Sequence, residues 1–157
     1  MKTALLSNNP QFRAFASSID TGIIVCNKAG LIVDFNDTIR KMFKYRDDEI
    51  RGKPITMLMP SRFHEFHTQE LVKYNAEGEN NVVGHALRMY GLDKHQDEFP
   101  IEIHVSAWND IDGLEYFTVS LRRYSQLEKN LGMILLSTAV MSVVMLITLV
   151  ILAARTF

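Results

Sequence analysis

Hydrophobic and polar positions change their period several times along the chain. Phe12 and Phe15 give Asn9–Ile19 one apolar side, the pattern of a short amphipathic helix. Gly22–Cys26 and Leu31–Phe35 are β-branched runs joined by Asn27-Lys28-Ala29-Gly30, which predicts a hairpin. Asn36–Phe43 brings apolar residues round at Ile39, Met42 and Phe43, a helical spacing that Asn36 opens as N-cap. Arg46–Ile50 adds a helical turn, which Gly52-Lys53-Pro54 breaks. After Pro60, Ser61–Tyr74 reads as a longer helix carrying Phe63, Phe66, Leu71 and Tyr74, ended by Gly78-Glu79-Asn80-Asn81. Three strands follow at Val82–Tyr90, Phe99–Val105 and Leu114–Arg122, separated by turns at Gly91–Gln96 and Asn109–Gly113. In the second of them Phe99, Ile101, Ile103 and Val105 share one face against Glu98, Glu102 and His104; in the third, Phe117, Val119 and Leu121 line up. Two strands, several helices and three strands predict an α+β domain: a five-stranded antiparallel sheet with helices on one face.

The pattern then loses all periodicity. Leu131–Ala154 holds no charged residue, and as a helix it would be about 36 Å long, enough to cross a ~30 Å hydrocarbon core. Ser137, Thr138, Ser142 and Thr148 can return their hydroxyls to carbonyls one turn back. The reading is one C-terminal transmembrane helix, anchoring a domain that is synthesised first. Arg122, Arg123 and Lys129 precede it and Arg155 alone follows, so the positive-inside rule places the folded part in the cytoplasm, at a cell (inner) membrane. Leu127, Leu131 and Leu135 stand four apart, as if a helix ran directly into the span. The expected division is an N-terminal extension at 1–11, a folded domain at 12–123, a linker helix at 124–130, the span at 131–154 and a tail at 155–157.

Charge narrows the possible partners. With 17 basic and 18 acidic residues the chain carries a net charge of -1, and there is no basic excess of the kind nucleic acid requires. Cys26, the single cysteine, excludes an intrachain disulfide and any multi-cysteine zinc or iron–sulfur centre.

Several short motifs, in this order and spacing, resemble a PAS domain over roughly Phe12 to Arg123. They are Gly22-Ile23-Ile24-Val25, Gly30-Leu31-Ile32 leading to Asn36, Met42-Phe43-Lys44-Tyr45, Glu49-Ile50-Arg51-Gly52-Lys53, Met59-Pro60 and Phe99-Pro100-Ile101-Glu102. Ala29 departs from the Asp that the family usually places before the Gly. The resemblance implies a sensory and dimerisation module whose helices cradle a small molecule against the sheet, and whose sheet passes strain into a C-terminal helix.

Met59–Val105 is further similar to the haem-binding PAS domains of FixL-type oxygen sensors. By that likeness His67 is the axial ligand to a haem iron, Lys73 stands near a propionate, and Asn81 takes the place of a propionate-contacting His. Ile103 and Val105 fall on the apolar distal wall. Leu87 replaces the Arg that steadies bound oxygen, which removes a hydrogen-bond donor; the adjacent Arg88 should point to the other face of its strand. A neutral imidazole facing an apolar cavity suits haem ligation chemically, and His67 also reads as an ordinary helix residue. His64, one turn earlier, is a rival ligand, and a His64/His67 metal pair would have only Glu65 or Glu70 for a third. His85, His95 and His104 lack partner spacing. Flavin-photoadduct chemistry needs a Cys in a motif that is missing here, since Cys26 lies on the first strand; non-covalent flavin stays open.

Asp47, Asp48 and Glu49 are consecutive at a helix start, where they favour the dipole and form no acid–base pair. With no nucleophile–base pair or phosphate loop, the expectation is a protein that is not an enzyme. Two readings follow. One is a membrane-tethered homodimeric sensor of haem or another small ligand, signalling through a partner protein. The other is a ligand-free dimerisation and interaction module tethered to the membrane, and a further alternative makes the chain the N-terminal fragment of a longer receptor.

Overall fold

The structure, a computed structural model, describes residues 10–124. The expected span, nearly all of the linker and the tail lie outside the described residues. Among the described residues no helix is long and apolar enough to cross a membrane.

Five strands, β1 (Gly22–Asn27), β2 (Ile32–Phe35), β3 (Ala86–Leu92), β4 (Glu98–Asn109) and β5 (Glu115–Arg123), build one antiparallel sheet in the order β2-β1-β5-β4-β3. The last strand therefore lies at the centre, between the N-terminal hairpin and β4. The β1–β2 turn forms because Asn27 supplies its polar contacts. The Asn27 side-chain oxygen accepts from the amides of Ala29 and Leu31, both at 3.0 Å, while Gly30 adopts φ +74°. Ala29 enters this turn through its backbone amide.

Helices α1 (Pro10–Ser18), α2 (Asp37–Phe43), α3 (Asp47–Ile50) and α4 (His64–Glu77) are joined by 3₁₀ turns at Ile55–Leu58 and Ser61–Phe63. The expected long helix begins as 3₁₀ after Pro60 and becomes α only at His64; it ends where Gly78 takes φ +77°. The expected strand Val82–Tyr90 starts late, at Ala86, and runs to Leu92. Its first donors are already used: Asn80 Oδ1 accepts from the amides of Val82 (2.9 Å) and Val83 (2.8 Å), an Asx turn that competes with the ladder. β4 outlasts its expected end at Val105 because Ala107, Trp108 and Asn109 still pair with β5.

Ile39, Phe43 and Ile50 pack onto Ile24, Phe99 and Leu121 of the sheet. Phe43 and Phe99 meet with ring centroids 5.1 Å apart over Gly91, where a Cβ would lie 3.0 Å from both rings. Asn36 caps α2 and also ties together three elements. Its Oδ1 accepts from Ile23 and Ile39 amides (3.0 and 3.4 Å), and its Nδ2 donates to the carbonyls of Ala16 (2.8 Å) and Thr21 (2.9 Å). On the opposite sheet face Arg88 and Arg122 both hold Glu102, so Arg88 does point away from Leu87. Trp108 stacks on Tyr116 and donates to Thr118 Oγ1 at 2.9 Å. Phe15 remains 59% exposed, while its neighbour Ala16 is buried.

Candidate ligand-binding cavity

Between α4 and the sheet lies a cavity of about 110 Å³. Strand alternation builds its floor: Leu87 and Met89 from β3, Ile103 and Val105 from β4, Phe117 and Val119 from β5, with Cys26 from β1. Helical spacing builds its roof, because Phe63, Phe66, His67, Glu70, Leu71 and Tyr74 fall on one side of α4 and its preceding turn. None of the fourteen residues of α4 is fully buried, and Phe66 is 44% exposed. The roof therefore depends on few apolar contacts and on polar ties at its end.

Those ties employ nearly every polar group at the rim. The Glu70 carboxylate accepts from the backbone and side-chain amides of Asn81 (2.9 and 3.2 Å), and Asn80 Nδ2 donates to the Glu70 carbonyl at 3.1 Å. The Tyr74 hydroxyl is bonded to Glu115, which also pairs with Lys28 at 3.2 Å, and the Tyr74 ring meets Phe117 edge-on. Burial first, then Glu115, pushes the Tyr74 phenol above its usual pKa. His64 Nε2 lies 3.0 Å from the Met59 carbonyl.

His67 is different. Its ring has no hydrogen-bond partner among the described residues, and burial followed by the nearby His64 holds its pKa below the ordinary imidazole value. It is neutral at pH 7. The hairpin comes close here: a Cβ on Gly30 would stand 3.7 Å from His67 Cε1 and 3.2 Å from Leu71. The Cys26 thiol, desolvated by burial, is pushed up to about 12, so it is protonated and unreactive.

The structure brings together four of the six residues that the sequence singled out. His67, Leu87, Ile103 and Val105 all line the cavity. Lys73 and Asn81 do not: Lys73 is exposed on α4, outside the cavity lining, and Asn81 is exposed and committed to Glu70. The cavity is also several times smaller than the roughly 300–1,000 Å³ that drug-sized ligands occupy, so the residues present do not fit a porphyrin. Among the described residues no group of three or more His, Cys, Asp or Glu side chains is placed to hold a metal ion. Sequence reasoning missed the structural part played by Glu70 and Asn80. The Gly78-Glu79-Asn80-Asn81 run carried the signal, since Asn after a helix-ending Gly is a common source of side-chain to backbone bonds.

Comparison with known proteins agrees with this architecture. The sequence profile of the PAS fold matches residues 11–123. An uncharacterized protein of Azorhizobium caulinodans is 30% identical over 91 residues, 57% of this chain and 12% of that protein. A probable serine/threonine-protein kinase of Dictyostelium discoideum is 27% identical over 106 residues, 66% of this chain and 7% of that one. The chain thus spans only a small part of the length of the curated relatives it matches. The crystal structure of the PAS domain of a Colwellia psychrerythraea protein superposes with a TM-score of 0.59 at 19% identity, covering 74% of this chain and 97% of that one.

Proposed function

The chain belongs to the PAS family through residues 11–123, and from that premise we propose that it is a sensory module: a small molecule enters the cavity beneath α4, and its presence is passed along β5 to the chain beyond Arg123. One observation carries the reading. Phe117 and Val119 form part of the cavity wall, and the strand that bears them is also the strand by which the chain leaves the domain. At its end Arg123 stands over the Phe99 ring, 3.8 Å from the centroid, and donates to the Met42 carbonyl at 3.0 Å. A ligand that binds one arrangement of this wall better than another shifts the exit strand by its differential affinity.

In the same proposal 131–154 anchors the module in the cell membrane with the domain in the cytoplasm. The module works as a homodimer, hands its signal to a separate protein and catalyses nothing. Hydrogen exchange tests the relay: a cavity ligand should change protection at β5 amides from Phe117 to Leu121, and unchanged β5 protection in saturated protein refutes it. Carbonate-resistant pelleting with bilayers tests the anchor. The small cavity volume also favours the ligand-free interaction module, in which no cavity ligand is bound and Phe15 belongs to an interface. Mass spectrometry of a solvent extract of the purified chain separates the two.

A further inference from the structure

We infer that the cavity takes an uncharged, mainly apolar molecule no larger than about one six-membered ring, bonded to His67 if it has a hydrogen-bonding atom, and that it takes no porphyrin. This rests on the sensory reading and specifies what that site admits.

Size sets the first limit. A cavity of about 150 Å³ lined by Leu, Ile and Phe stays dry and holds benzene or xenon, and this one is about 110 Å³. Growth toward the floor would displace Phe117 and Val119, which belong to the packed core. Growth toward the roof would have to break the ties of α4 to Asn81 and Glu115.

Polarity sets the second. The carboxylate at the rim, Glu70, has both oxygens engaged by Asn81, and the Tyr74 hydroxyl is engaged by Glu115. A charged ligand would lose its water and find no free counter-charge, which is prohibitive in an apolar site. Beside the weakly polar Cys26 thiol, the described polar side chain left without a partner in the wall is the neutral His67 ring, which offers one donor and one acceptor. A single hydrogen bond is what the site can add to apolar contact.

Benzene and pyrrole are suitable probes, since both are single uncharged rings and pyrrole adds one N–H. They would be titrated into the full chain in detergent micelles, with ¹³C-labelled methyl groups. Saturable shifts are expected at Leu87, Ile103, Val105 and Val119 methyls, and Leu87→Trp, which fills the space, should abolish them. If that variant does not fold, Val83→Phe at the rim is the second filler. His67→Leu should lower the affinity for pyrrole relative to benzene roughly fivefold, the worth of one ordinary hydrogen bond. Absence of saturable shifts in the folded wild-type chain overturns the inference. So does a Soret band on adding haem that His67→Ala removes. That second result would leave the sensory reading intact, because the relay is judged separately by β5 hydrogen exchange.

Discussion

Replacing Asn36 probes the junction of α1, β1 and α2 more directly than any other single change. Asn36→Ala removes four side-chain hydrogen bonds at a site only 6% exposed. The lost N-cap costs about 1 kcal/mol, and the three remaining bonds cost about 1 kcal/mol each, with the Ile23 amide and two carbonyls left to find water. Allowing for partial relaxation, we expect roughly 3 kcal/mol and a Tm lower by roughly 10 °C. Asn36→Asp is the sharper variant. It keeps an oxygen for Ile23 and Ile39 but turns a second oxygen toward the carbonyls of Ala16 and Thr21, where the amide had donated. Ionisation is disfavoured in the fold, so the folded pKa lies above the unfolded value of about 3.9. Below that pH both states are neutral and the penalty is small. Above it the unfolded chain ionises first, and the penalty grows by about 1.4 kcal/mol per pH unit until the folded group ionises too. Urea unfolding followed by the fluorescence of the single Trp108, stacked on Tyr116, reads both variants between pH 3 and 7. An Asn36→Ala variant within about 1 kcal/mol of wild type would refute the reasoning, as would a pH-independent deficit in Asn36→Asp.

Three further outcomes follow from groups already located. Cys26, with its thiol pushed up to about 12 by burial, should give no reaction with a disulfide reagent at pH 8 until denaturant is added; rapid native labelling would contradict its position in the cavity wall. His67 has its folded pKa lowered, so stability present above about pH 6.5 should fall as the unfolded imidazole takes up a proton first; His67→Leu should flatten the decline between pH 7 and 5, as urea midpoints would show. Lys44, 2.6 Å from the buried Asp93, is the leading reason that the Asp93 pKa is lowered, and the amides of His95 and Asp97 add to it. The stability that Asp93 contributes is therefore present above about pH 3.9 and lost as pH falls through the lower folded value. Asp93→Asn should be weaker than wild type at pH 7, with the gap closing in acid; a gap that widens in acid would reverse the assignment.

The fold was legible because its strands obey a strict period of two and its helix starts carry caps. Glu98–Val105 alternates cleanly, and the structure buries Phe99, Ile101 and Val105 while half-burying Ile103. The same rule put Leu87 toward the cavity and Arg88 away from it. Asn36 announced a helix by residue type and position. Its bonds to Ala16 and Thr21 could not be read from the chain, because they join residues that only the folded backbone brings within 3 Å.

The haem-type site divides along a similar line. Lys73 and Asn81 came from a resemblance, whereas helix geometry alone sets Lys73 apart from His67: six residues at about 100° each leave it well off the same face. Local rules of this kind determined which elements form, which faces are apolar and which residues can neighbour one another, since they depend on backbone periodicity within a few residues. The volume beneath α4 follows from no local rule. It is the small difference between where Tyr74, Glu70 and their distant partners hold the helix and where the floor of β3, β4 and β5 packs. That difference arises only when residues far apart in the chain, such as Cys26 and Val119, close on one another, and it decides whether a ring or a porphyrin can enter.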